Sequence, residues 1–316
     1  MKNKSVLWAA LGVTLVIGLA LGACAGTGLL LVAGATGYAL VRGGTARPGL
    51  GNAVGVLHLE GAVTSAATYS SSGITPEQVD RLLTQAAADP TIKAVVVAIN
   101  SPGGSVVASD RIYRALRTFR KPVVVWMGET AASGGYYIAC GADVIVAHPD
   151  SLTGSIGVIS QFITAEELLR KVGVDVVVIT SGPRKDIGSP FREMTEEEQA
   201  LWREIIAQVF EDFVHVVAEA RDMSPEAVRE LADGRVYTGR QALEAGLVDE
   251  LGTLDDAILT AAELGGIEGE PRVIHLRTTP SLTDLLMGMH SRSALPTLEE
   301  LLAWTAVPSL QLRMVP

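Results

Sequence analysis

Cysteine is nearly absent from this chain: 316 residues contain 2, Cys24 and Cys140. That excludes a disulfide-built scaffold and any cysteine-built metal site. Aromatic residues are also scarce, at 5%. Basic residues are outnumbered, 25 Lys and Arg against 35 Asp and Glu, for a net charge of −10. No broad basic face can be built from that balance, which argues against nucleic acid as the main partner. There are 5 histidines, with no H-E-x-x-H or other paired His-carboxylate spacing. That argues against a catalytic metal, and no cofactor is expected. Internal repeats are missing too. What is present is apolar: hydrophobic residues are 48% and charged residues 19%, enough to bury a substantial core and to exclude global disorder.

Charge is lacking altogether from residues 5–41. That run is far longer than the ~20 residues needed to cross a membrane. Lys2 and Lys4 precede it, as in a secretory signal, but it exceeds the apolar length of such signals, about 7–15 residues. An uncleaved, single-pass anchor over residues 5–41 is expected. Residues 1–4 would form a cytoplasmic stub, and the remainder would lie outside the cytoplasm. Arg42 and Arg47 on the far side run against that orientation. Gly18, Gly22 and Gly26 stand four residues apart, which permits close helix approach and equally suits any span of small residues. The sequence Leu21-Gly22-Ala23-Cys24 looks like a lipidation box. The apolar Leu29-Leu30-Leu31-Val32 that follows is not the polar tether lipidation calls for. Residues 42–52 read as a linker.

From Val54 onward strand and helix patterns alternate. Strands are expected at residues 54–59, 92–99, 122–127, 144–147, 156–159 and 174–179, all short and mostly β-branched. Helices are expected at residues 76–88, with Thr75 as N-cap and Pro76 first, at 106–119, at 165–171 and at 196–221. The last opens with Thr195 and Glu198 at capping-box spacing. The alternation predicts one α/β domain over residues 53–277 with a mainly parallel sheet and surrounding helices. Residues 278–316 read as a helical tail, with Leu282, Leu285, Leu286 and Met289 on one face.

Three loops collect small residues at strand ends, where open α/β sheets place their sites. Asn100-Ser101-Pro102-Gly103-Gly104 can turn tightly and expose N–H groups to an anion, and it can equally be a plain turn. Ser133 lies in Ala131-Ala132-Ser133-Gly134-Gly135, with a hydroxyl open to a substrate and the Gly134 N–H beside it. This has the logic of a nucleophile elbow without its motif, and Ser133 is as well explained as a helix N-cap. Lys185, in Ser181-Gly182-Pro183-Arg184-Lys185-Asp186, would act as a base only if desolvation lowered its pKa from about 10.4 toward 7. Alone it reads as a solvated lysine. A histidine base is disfavoured because His58, His148, His215, His275 and His290 all lie outside these loops. Cys140 is expected to be buried.

Taken together, these loops resemble the S49 serine peptidases, the signal peptide peptidase A family. The resemblance runs from Val54 to about Gly252 and is carried by five stretches in order. They are residues 101–104, residues 132–137, Thr153-Gly154-Ser155-Ile156-Gly157-Val158, Lys185, and residues 239–249 with the ending Ala245-Gly246-Leu247-Val248-Asp249. The resemblance implies a Clp-protease/crotonase-like fold in the short form with one catalytic domain. It implies Ser133 as nucleophile, Lys185 as general base, Ser155 as the hydroxyl that orients the lysine, and Gly103 and Gly134 as oxyanion donors. It further implies a ring-like homo-oligomer with sites shared between protomers, and cleaved signal peptides as substrates at the membrane. A protease that trims small membrane proteins, of the stomatin-directed kind, or a non-catalytic ring-forming scaffold, are the alternatives.

Overall fold

Near-continuous apolar runs build the centre of the sheet. The computed structural model describes residues 51–65 and 73–277, and the backbone of residues 311–313. Strand β1 (Ala53–Glu60) lies parallel to β2 (Ile92–Ser101), ending in register at Glu60↔Asn100. On the other side of β2 runs β4 (Val123–Ala132), from Val95↔Val123 to Ser101↔Ala131. Side chains alternate between two covered faces, which is why these strands carry no polar stripe. Leu57, Leu59, Val95, Val97 and Val125 belong to one layer, and Val54, Val56, Ala94, Val96 and Val124 to the other.

The first layer is covered by α1 (Pro76–Ala88), α2 (Val106–Arg117), α3 (Gly134–Ala139) and the C-terminal half of α5 (Glu196–Arg221). The second is covered by α8 (Leu254–Leu264) through Ala257, Ile258, Ala261 and Ala262. With β6 (Leu152–Gly154), β7 (Val236–Thr238) and β9 (Arg272–Leu276), the strand order is β7-β6-β4-β2-β1-β9; β5 (Val144–Ala147) pairs off β4, and β8 (Glu250–Leu251) pairs with β5. Strands β6 and β7 are antiparallel. The connecting helices α4 (Glu166–Lys171), α6 (Pro225–Leu231) and α7 (Gly239–Glu244) are short.

Local signals hold where they are strongest. Thr75 Oγ1 accepts from the Gln78 N–H ahead of Pro76, and Thr195 and Glu198 form the expected capping box. Two expected strands are corrected. In place of 156–159 the strand is Leu152–Gly154, because Ser155 at φ 49° breaks the extended backbone. Residues 174–179 form no strand: they are exposed and have no partner among the described residues to complete a ladder. The tail expected to be helical contains a strand, β10 (Gln311–Arg313), antiparallel to β3 (Gly103–Ser105). The anchor at residues 5–41 and the rest of the tail lie outside the described residues. Among the described residues no helix is long and apolar enough to cross a membrane.

Candidate active site

The register of β4 delivers Ser133. Having paired with β5 from Val124↔Val144 to Met127↔Ala147, β4 changes neighbour and pairs with β6 from Thr130↔Leu152 to Ala132↔Gly154. Ser133 and Ser155 therefore follow directly on a paired couple of residues. Both have left-handed φ, 54° and 49°, rare for side chains other than glycine. The Ser133 N–H donates to Gly154 O at 2.7 Å, and Thr153 Oγ1 donates to Ala131 O at 2.7 Å, so the two turns are tied together. Such backbone costs about 1–3 kcal/mol and persists only where its surroundings hold it.

Those surroundings are dense. Tyr136 is fully buried and its hydroxyl donates to Leu247 O at 2.8 Å. The Tyr137 hydroxyl donates to Asp110 Oδ1 at 3.1 Å, and its ring packs on Tyr113 and Phe213. Burial and the Asp110 carboxylate push the Tyr137 hydroxyl well above its ordinary pKa, so it stays protonated. Gly135 is needed because a Cβ there would stand 2.9 Å from Ser101 O. α3 is thereby pressed against the loop after β2.

Ser133 occupies the N-cap position of α3, yet its side chain makes no capping hydrogen bond. Its Oγ is buried and has no hydrogen-bond partner among the described residues. An unpaired buried hydroxyl costs about 1–3 kcal/mol, which a purely structural N-cap would avoid. The N–H of Gly134, first residue of α3, belongs to the helix-start donors that have no intrahelical acceptor.

The loop after β2 forms the facing wall. The Gly103 carbonyl accepts from the Val63 N–H at 2.9 Å, and the Ser105 N–H donates to Val63 O at 2.8 Å. A Cβ at Gly104 would stand 2.0 Å from Val63 O, so the backbones meet only because this residue is glycine. The Gly103 N–H, expected to be an open oxyanion donor, already donates to Ser101 Oγ at 3.1 Å. On the outer edge of this loop lies β10, with Arg313 opposite Gly103 and Leu312 opposite Gly104.

Among the described residues Lys185 does not bond Ser133 Oγ. It is exposed, in a run of turns over residues 182–189. The surrounding arm, residues 161–192, contributes no buried residue to the core: α4 buries none, and Val177 and Ile179 are 84% and 92% exposed. The arm is fastened by the Ala165 N–H to Pro190 O, by Phe162 on Trp202, by Arg192, which bonds Asp186 and Glu198, and by Arg184, which pairs with Glu197. Arg192 and Asp186 were missed in the sequence; the signal lay in the positions of Asp186 and Glu198, six residues either side of Arg192.

No histidine bonds Ser133 Oγ among the described residues; His58 pairs with His275 between β1 and β9. Burial pushes the Cys140 thiol up to about 12, which removes it as a nucleophile.

Comparison with known proteins bears on the family. The profile of peptidase family S49 matches residues 115–268, and that of Clp protease matches residues 63–151. A candidate protease of Synechocystis is 49% identical over 177 residues, covering 55% of this chain and 64% of its own length. A candidate signal peptide peptidase of Enterococcus faecium is 43% identical over 173 residues, covering 54% of this chain and 50% of its own. The chain belongs to peptidase family S49. It spans about half to two thirds of the length of these curated relatives. Among solved structures, the membrane-bound stomatin-specific protease 1510-N is similar at 18% identity and a TM-score of 0.48, covering 72% of this chain and 99% of that one.

Within this S49 chain the Ala245–Asp249 signature is structural. Leu247 and Val248 are buried. Asp249 accepts from Arg221 at 2.6 and 2.9 Å and from the Ile145 N–H at 2.8 Å. The motif locks α5 to β5 rather than entering the site.

Proposed function

We propose that the chain is a membrane-anchored serine endopeptidase that hydrolyses apolar peptides, remnant signal peptides among them, with Ser133 as nucleophile and Lys185 as general base. The observation that carries this reading is the buried, unpartnered Ser133 Oγ on left-handed backbone at the start of α3. In the proposed reaction neutral Lys185 Nζ accepts the Ser133 proton, and Oγ attacks the peptide carbonyl. The N–H groups of Gly103 and Gly134 hold the resulting oxyanion. For Gly103 this exchanges the neutral Ser101 Oγ for a charged acceptor, which makes the stronger bond. The Lys185 ammonium then protonates the leaving amine, and water releases the acyl group. Ser155, one residue past Gly154, orients the lysine.

Lys185 of one copy serves Ser133 of the next in this reading. Two features support it: the exposed position of Lys185 on its arm and the unburied apolar residues around it. Seating the lysine against a neighbour's buried hydroxyl would also strip water from its amine, which a lysine base requires. The antiparallel pairing of β10 on β3 supports an extended peptide as substrate, since that edge accepts a strand. Anchoring by residues 5–41 would hold the site where apolar peptides are concentrated.

The test is covalent. The full chain in detergent, treated with a serine-directed fluorophosphonate, should carry the adduct on Ser133 by mass spectrometry. An adduct elsewhere, or labelling that persists in Ser133→Ala, overturns the assignment.

A further inference from the structure

α5 reaches from the core to the arm. Its C-terminal half buries Phe213, Val214, Val217 and Ala218, whereas the only buried residue of its first turns is a carboxylate, Glu198, 4% exposed. Arg192 accounts for that burial. Its Nη1 and Nη2 donate to Glu198 Oε2 and Oε1 at 2.8 and 2.6 Å, while its Nε and Nη2 donate to Asp186 Oδ2 and Oδ1 at 2.7 and 2.8 Å. One planar guanidinium thus grips two carboxylates at once, a geometry an ammonium cannot copy.

The helix cap alone does not need this. Capping requires Thr195 and Glu198, whose Oε2 accepts the Thr195 N–H at 2.9 Å. The contacts to Asp186 add nothing to the helix; they fix the backbone beside Lys185. The turn there is otherwise held by the Lys185 N–H to Gly182 O at 3.2 Å, the Ile187 N–H to Arg184 O at 3.4 Å, the Ser189 N–H to Asp186 O at 2.9 Å, and one exposed ion pair of Arg184 with Glu197. A lysine amine rides on a flexible four-carbon stem, so where its backbone stands decides where the amine can go.

We propose that Arg192 is a positioning residue for the general base: by locking Asp186 to the start of α5, it sets where Lys185 is presented to a neighbouring copy's Ser133. This rests on the reading of Lys185 as the base. The lever is α5, whose far end is embedded in the core.

The test uses the full chain in detergent, an apolar fluorogenic peptide, and particle size by light scattering. Arg192→Gln should lower kcat by about 10- to 100-fold, the scale of a misplacement of order 1 Å. KM should stay within about twofold and particle size unchanged, since neither substrate binding nor assembly is touched. Asp186→Asn should reproduce the loss. The double variant should lose little more, because both substitutions break the same link. Arg192→Lys should not restore kcat. A kcat for Arg192→Gln within about twofold of the parent overturns the proposal. So does a loss of kcat that tracks dissociation of the particle, the mark of a merely structural residue. Lys185→Ala separates the two readings: if it is active the base is wrong, and if it is inactive while Arg192→Gln is fully active, only the positioning role fails.

Discussion

Residues 131–141, around Ser133, are all buried; residues 171–181, leading to Lys185, are all exposed. The first region is fixed by the fold of one chain. Its turn is tied to Gly154, its helix is anchored through Tyr136 and Tyr137, and its facing wall is held through Val63. The second has no core beneath it, and the arm that carries it is attached to α5 by one ring contact and two arginines, Arg192 and Arg184. A single chain can therefore bury and strain the Ser133 turn by itself, but it presents Lys185, the proposed base, to solvent. The contrast is what a catalytic unit finished by a neighbouring copy would look like before assembly.

The largest effect expected is on that sharing. Ser133→Ala and Lys185→Ala should each lower kcat by about a thousandfold or more. Unfolded and reassembled together in equal amounts, they should regain activity at about one junction in four, where an intact serine meets an intact lysine. Native mass spectrometry establishes that mixed particles formed. No recovery in proven mixed particles would place both groups of the dyad in one chain and erase the comparison.

Next comes the arm itself. Ile179→Asp places a charge at a side chain that is 92% exposed in the single chain. If the arm stays exposed, the substitution is silent, within about 0.5 kcal/mol. If a neighbour covers it, particle size and peptidase rate should fall together while the melting of the core is unchanged. Light scattering beside calorimetry reads both.

A smaller effect concerns β3. Removing residues 311–316 deletes β10 from the edge beside Gly103. An intramolecular strand competes at an effective concentration on the order of millimolar, so KM for added peptides should fall severalfold with kcat unchanged. An unchanged KM would mean that peptides bind elsewhere.

The smallest concerns acid. The Arg192 guanidinium holds the Glu198 carboxyl down at about 2, against an ordinary 4.5. A lowered folded-state pKa gives stability that is complete above the ordinary value and lost as pH falls through the folded one. Asp186 is shifted the same way by the same arginine. Between pH 4.5 and about 2, hydrogen exchange at residues 182–189 should accelerate before exchange in residues 131–141. Simultaneous loss of protection would show that the arm is not separately held.

Much of this was legible locally. The helices Pro76–Ala88 and Glu196–Arg221 follow from Thr75 and Thr195, because a cap involves residues within one turn of each other. Residues 174–179 misled for the opposite reason: β-branched composition proposes a strand, but a strand exists only beside a partner. At Ser133, composition left nucleophile and N-cap equally good; the side chain makes no capping bond, and the residue stands at φ 54°. The Gly103 N–H, read as open, is engaged by Ser101 two residues earlier, a contact that depends on the path of the turn.

By itself the sequence determined the alternation of strands and helices, the acidic charge balance, and the small-residue loops that carry the family resemblance. Those properties are set by neighbouring residues or by composition. Only the tertiary structure decided that β4 leaves β5 for β6 beneath Ser133, that Ala245–Asp249 is a brace, and that Arg192 joins the Lys185 turn to α5. Each of these needs groups far apart in the chain, or a guanidinium with fixed fork geometry, to arrive at one place. That is decided by how apolar surface packs and not by the order of residues along one strand or helix.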